Sequence, residues 1–344
     1  MAQPGYARAI SHPLDPYIKR DFKPNWKDDY VPEQLNFFSL KETGQYSLPM
    51  YLGTMALYYN KAVFQAKGVA IPDQTWDWAK WLDAMQRLTE RPDKYGASLL
   101  TILGLGRFDP IMLRQNGGYM VDPNDDTKCV IDQPPALEAL NWVRDRMWRD
   151  HIAIQFPEMQ GQNLQNLFST GRIAMYIEGS WRLAPMVREI DPSVQWDIAV
   201  LPRKVRRSTL ATTDGWGIWR GTKHPEEAWE FMKFLQGDEW YEIMMGTVGL
   251  TPARASMIDK WISLITKAYP ALQGRNLNAF MAPLREKWAD PGGFFRFHKD
   301  ALDILGPAMN RAVRDNQESV EIVFREAARQ VNAVQAELKA RAGK

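Results

Sequence analysis

Strand-like and helix-like segments alternate through most of these 344 residues, and that alternation restricts the chain to an α/β architecture. The first strong strand signal is an apolar stretch around Tyr46 to Tyr59, introduced by Gly44-Gln45, which reads as a strand entering a buried sheet. From Thr75 the period becomes helical: Thr75 can cap, Asp77 suits the first turn, and Trp78, Trp81, Leu82, Met85 and Leu88 share one face. Tyr95 to Leu103 reads as a buried strand, and helices are expected over Asp109 to Gln115 and from Pro135 to Arg149. Arg172 to Gly179 alternates as a strand with Trp181 just beyond its end, and Gln195 to Leu201 and Trp216 to Arg220 are shorter strands. Pro225, Glu226 and Glu227 open a helix with the apolar face Ala228, Phe231, Met232 and Leu235 and a stop at Gly237. A packed helix closes the chain from Ser319 to Arg341.

A chain of this length exceeds one comfortable core, so two lobes are expected, joined by strands because no low-complexity tether separates them. Hydrophobic residues make up 45% and charged residues 24%, with a mean hydropathy of −0.41, which fits a folded globular chain. No run approaches the ~20 apolar residues of a membrane span. The 43 Lys and Arg nearly balance the 41 Asp and Glu, so nothing global points to nucleic acid. The one basic run, Arg203 to Arg207, reads as a solvated loop. The 14 Trp, 14 Phe and 12 Tyr matter more, because flat rings with a polar edge fill cores and also stack on sugars.

Catalytic signatures are missing. His12, His151, His224 and His298 have no helical ligand spacing, and no GxSxG elbow, dinucleotide fingerprint or phosphate loop occurs. The single Cys129 has no nearby histidine and permits no internal disulfide. No cofactor, metal site or enzymatic activity is therefore expected; a glycosidase carboxylate dyad is the weaker alternative.

The segment Leu48 to Lys61 (LPMYLGTMALYYNK) resembles the family 1 extracellular solute-binding proteins of ABC transporters, the group of the maltose-binding protein. Further pieces follow in the family's order: GVAIPDQTW from Gly68, Lys94-Tyr95-Gly96, Asn116-Gly117-Gly118, FSTGRIAMYIEGSW from Phe168, Val200-Leu201-Pro202, Asp214 to Ile218, HPEEAWEFMKFL from His224 and GLTPARAS from Gly249. The resemblance departs at the front, where Gly5 to Arg20 matches a segment that lies after the family's opening β-α units. It therefore implies a two-lobed periplasmic-binding-protein-like (type II) fold with hinge strands and an incomplete first lobe. That lobe would comprise residues 1–50 plus about 218–285, and the second about 54–213 plus 286–344, with crossings near 50–53, 213–218 and 285–295.

The same resemblance implies a monomeric receptor of an ABC importer, periplasmic or extracytoplasmic although no signal peptide stands in the sequence. Its partners would be a carbohydrate, more plausibly an oligosaccharide, held in an interlobe cleft, and the permease. Trp181 matches the family's aromatic sugar platform, with a packed core Trp as the alternative. Tyr51, Gly53, Asp214 and Trp216 would border the cleft, Tyr51 and Trp216 equally as hinge residues. Arg107 and Phe108 precede a cleft-facing helix, and Arg254 either reaches ligand or pins a turn. A remnant with an interaction role, or a glycan-active enzyme, are the competing functions.

Overall fold

A computed structural model describes residues 10–30, 34–35, 38–40 and 44–342; the opening of the Gly5 to Arg20 segment lies outside them. The apolar stretch forms Leu48–Pro49 and then the eight-residue strand β1, Gly53–Asn60, every residue of which is buried. Burial on both faces explains the absence of polar alternation. Around β1 lie β2 (Met175–Gly179), β3 (Trp196–Ala199), β4 (Thr209–Thr212) and β5 (Ala289–Asp290). The sheet order is β5-β4-β1-β2, with β3 also on β1. β1 pairs antiparallel with β4 at Gly53 and Thr54 and with β3 from Leu57 to Asn60, and β4 runs parallel to β5. Tyr58 of β1 lies 5.3 Å from Tyr176 and 5.8 Å from Trp196, ring to ring, so three strands meet in one aromatic layer.

Local chemistry sets the helix starts. Asn60 ends β1 and caps the helix Lys61–Ala66, its Oδ1 accepting from the amides of Ala62 and Val63. The helix expected from Thr75 runs over Trp78–Leu88, and its cap is Asp77, which accepts from Lys80 N–H at 2.9 Å. Thr75 instead bonds Asp73, because a carboxylate two residues earlier captures its amide and hydroxyl. Tyr95 to Leu99, Ile102 and Leu103 are buried, but the segment is no continuous strand: isolated bridges at Tyr95, Ala97 and Ser98 give way to a 3₁₀ turn at Leu100–Ile102, where Leu100 and Thr101 are half-buried. In the helix Pro225–Leu235 the buried positions are Trp229, Met232 and Leu235, whereas Phe231 is 60% exposed.

The chain forms two compact units. One takes in Met1–Thr54, Gly179–Arg188 and Ala211–Leu277, the other Met55–Glu178, Glu189–Leu210 and Asn278–Lys344. Compared with the division expected from sequence, Gly179–Arg188 joins the first unit, and the last crossing comes at Leu277 instead of near 285. In the first unit Leu14, Ile18, Leu48, Ile218, Trp229 and Met232 form a core whose indole N–H, on Trp229, donates to Asp21 at 2.6 Å. In the second, the helices Pro134–Trp148, His298–Met309 and Val320–Ala342 pack together, and the Trp142 ring lies tilted against those of Trp78 and Trp81, at 4.7 and 5.2 Å.

Candidate functional site

Trp181 follows β2 by a single 3₁₀ turn, Ser180–Arg182, and its ring lies directly on glycine backbone. A Cβ at Gly179 would sit 2.2 to 2.3 Å from Cζ2, Cε2 and Cη2 of the indole, and one at Gly53 would sit 2.6 Å from Cζ3 and 2.8 Å from Cε3. Real side-chain atoms never approach so closely, so both positions require glycine for close approach. The Tyr51 ring is 2.9 Å from the same Gly53 Cβ position. Tyr51, Gly53 and Trp181, chosen from sequence as site residues, are thus brought together in the first unit. Trp181 itself is half-buried.

The backbone under this ring is held from several directions. Leu52 N–H donates to the Thr251 carbonyl at 3.1 Å, the Thr251 hydroxyl donates back to the Leu52 carbonyl, and Ser180 Oγ lies 3.3 Å from that hydroxyl. Gln34 donates to the Tyr51 carbonyl at 3.1 Å. A buried, bonded backbone keeps the ring from following a ligand into new geometries, which is what preorganisation requires.

The other sequence-chosen residues divide differently. Asp214 is exposed, and its carbonyl accepts from Met50 N–H at 2.8 Å. Trp216 packs on the first unit's core, with its ring 6.3 Å from that of Trp240. Arg254 pins a turn: Nε donates to Asp29 at 2.6 Å, Nη1 to the Gln236 carbonyl and Asp238, and Nη2 to Ser256. With each nitrogen engaged and Asp29 also accepting from Ser256 N–H at 2.7 Å, the guanidinium is committed to the fold. Arg254→Ala is expected to cost roughly 1.5–3 kcal/mol in chemical denaturation, the worth of hydrogen bonds to a charged group, with ligand affinity per folded molecule unchanged. A loss of affinity at unchanged stability would reverse that assignment.

In the second unit Phe108 is fully buried and serves the core, which corrects its placement in the site. Arg107 lines an open hollow of about 620 Å³ together with Leu100, Phe156, Met159, Leu302 and Glu178. Arg107 Nη1 donates to the Thr101 carbonyl at 3.1 Å. Glu178 is not evident from sequence although it stands three residues before Trp181, because a charged residue at a strand end carries no periodic signal. Phe156 and Leu302 come from separate segments, and no local pattern links them.

Burial pushes the Cys129 thiol up to about 12, which denies it thiolate character at neutral pH. Among the described residues no group of three or more His, Cys, Asp or Glu side chains is placed to hold a metal ion. Among them, too, no helix is long and apolar enough to cross a membrane.

The sequence profile of the bacterial extracellular solute-binding proteins matches residues 3–242, more than half of the chain. The chain belongs to that family. A binding protein of Brucella abortus (strain 2308) is 25% identical over 248 residues, 71% of this chain and 58% of that protein. The arabinooligosaccharide-binding protein of Halalkalibacterium halodurans is 22% identical over 269 residues, 76% of this chain and 59% of its own length. The chain therefore spans a little under three-fifths of the length of these curated relatives. In fold it is similar to an ABC substrate-binding protein from Listeria monocytogenes solved in complex with cycloalternan, with a TM-score of 0.81 at 19% identity, covering 97% of this chain and 83% of that one. The α/β, two-lobed solute-binding fold implied by the sequence resemblance is thus the fold of this chain.

Proposed function

We propose that the chain acts as the extracytoplasmic substrate-binding component of an ABC importer, and that its cargo is a carbohydrate. The observation carrying this reading is the half-buried Trp181 laid against Gly53 and Gly179, with Tyr51 beside it. An indole fixed on one side by backbone offers a flat apolar surface of the kind that sugar ring faces cover, at little cost in side-chain entropy. The hollow of the second unit supplies a separate concave surface with Arg107 and Glu178 at its wall. The family membership, the arabinooligosaccharide relative and the cycloalternan-bound Listeria protein support the same cargo class. Asp214 retains a proposed contact role because it is exposed. Handing the captured cargo to a membrane permease would complete the role.

A thermal-shift screen against mono- and oligosaccharides tests the proposal, because a ligand of the folded state adds RT ln(1 + [L]/Kd), about 2.7 kcal/mol at a hundredfold excess over Kd. One sugar class is expected to raise the melting temperature with concentration. Trp181→Ala is expected to weaken binding of that sugar on the order of tenfold or more, since a buried aromatic contact is worth about 1.5–3 kcal/mol. Product release from a glycan in the same screen would favour an enzyme, and a flat response from a cooperatively melting sample would sink carbohydrate capture by this chain.

A further inference from the structure

The hollow of the second unit carries more apolar side-chain surface than the hydroxyls of a sugar can satisfy. Leu100, Met159, Leu164 and Leu302 are half-buried and Phe156 is 56% exposed, and all five line the same space of about 620 Å³. Single exposed apolar side chains are ordinary on a protein surface, but a concave gathering of them marks a place where apolar ligand surface is buried. They come from four separate segments: the 3₁₀ turn Leu100–Ile102, the loop through Phe156 and Met159, and the helices Leu164–Ser169 and His298–Met309. The gathering is thus a product of the tertiary fold and not of one amphipathic face.

Polar groups share the hollow with this wall: Thr101, Arg107, Glu178, Asn310 and Arg314 also line it, and Arg314 lies over one face of Phe156. Arg314 is paired with Asp315 at 2.7 Å, and its guanidinium carbon stands 5.4 Å from the centre of the Phe156 ring. Arg107 donates to the Thr101 carbonyl. A sugar hydroxyl set against Leu302, Leu164 or Met159 would give up water and gain no hydrogen bond, which opposes binding. A methyl, acyl or aryl group in the same place gains about fourfold in affinity for each methylene-sized increment buried.

We infer that the hollow lined by Leu100, Phe156, Met159, Leu164 and Leu302 receives the apolar substituent of a modified carbohydrate, such as a deoxy, acylated or aryl-bearing sugar; this rests on the chain being a carbohydrate receptor. The sugar's own hydroxyls then lie toward Arg107 and Glu178. The ligand class is amphipathic.

Isothermal titration of the full chain tests this with matched glycosides in the gluco, manno and arabino series, comparing methyl, propyl and phenyl aglycones with the underivatised oligosaccharides. Within the series that binds, the propyl or phenyl glycoside is expected to bind roughly tenfold tighter than the methyl one, from at least two further buried methylene equivalents. Leu302→Asn and Leu164→Asn, each verified by a cooperative melt, should bring that preference to within about twofold, as the gain per methylene is withdrawn. Equal affinities across aglycones in the parent, or a preference undiminished in both variants, overturns the inference and leaves the receptor reading standing. Failure of every glycoside and oligosaccharide to bind overturns the receptor reading and the inference with it.

Discussion

Asp109→Ala is expected to destabilise the second unit by about 3–5 kcal/mol, the cost of breaking a buried ion pair from one side. Asp109 is 1% exposed. Its Oδ1 accepts from Met120 N–H at 2.9 Å, its Oδ2 accepts from Gly293 N–H at 2.6 Å, and Arg114 Nη2 lies 3.2 Å from Oδ2. Alanine would orphan two backbone donors and remove the nearest counter-charge of a guanidinium that also lies 4.3 Å from the centre of the Tyr119 ring. Among the described residues, Asp290 at 3.4 Å would remain as the carboxylate partner of Arg114. The contacts join residue 109 to residue 293, so the loss is tertiary and cannot be relieved by local rearrangement. Urea denaturation followed by two optical probes measures it, with Asp303→Ala as a surface control expected to stay within about 0.5 kcal/mol. A change below about 1 kcal/mol for Asp109→Ala would show that water replaces these bonds.

Gly53→Ala is expected to reduce the affinity for whichever sugar the screen identifies by roughly tenfold or more, about 1.4 kcal/mol, and Gly179→Ala to do the same. Each methyl would occupy space already held by the Trp181 ring, at 2.6 Å and 2.2 Å respectively, so the indole must leave its seat or the backbone must shift. Overpacking of this sort costs about 1–3 kcal/mol of stability, and the folded fraction must therefore be checked by a cooperative melt before affinities are compared. A change in tryptophan emission should accompany the lost affinity, because the displaced indole meets a different solvent environment. Unchanged affinity in both variants would mean that the seated Trp181 is a packing residue and that ligand is held elsewhere.

Several features of the fold were legible in the residues because their causes are local. The run ending at Asn60 is strand then cap, and Asn60 both closes β1 and satisfies two amides of the helix after it. The strand expected over Arg172 to Gly179 runs over Met175–Gly179, with Ile173 in an isolated bridge, and it is buried on both faces because Ala174 and Tyr176 are buried along with Ile173, Met175 and Ile177. The closing helix kept its apolar face, with Val320, Phe324, Ala327 and Val331 buried. Trp181 and Gly53 could each be chosen as site residues because the segments carrying them resemble a known family pattern; that the indole lies on Gly53 could not be read from it. What that pattern left open was whether Trp181 is a platform or a core residue.

Other assignments turned on neighbours distant in sequence. Phe231 has the spacing of a core position, yet the side of the helix that meets Leu14 and Ile18 is the one carrying Trp229 and Met232. Phe108 and Arg107 are adjacent, and burial sends one to the core and the other to the wall of a hollow. Arg254 has the donors to bind a ligand, but Asp29, 225 residues away, claims it. Hydrophobic period, capping groups and turn residues act over a few positions, and so the order and kind of most elements could be read directly from the chain. Which face of each element meets another, which charge meets its partner and whether Gly53 lies beneath the Trp181 indole depend on contacts closed between segments far apart in the chain. Those were settled only when the sheet and its helices had packed.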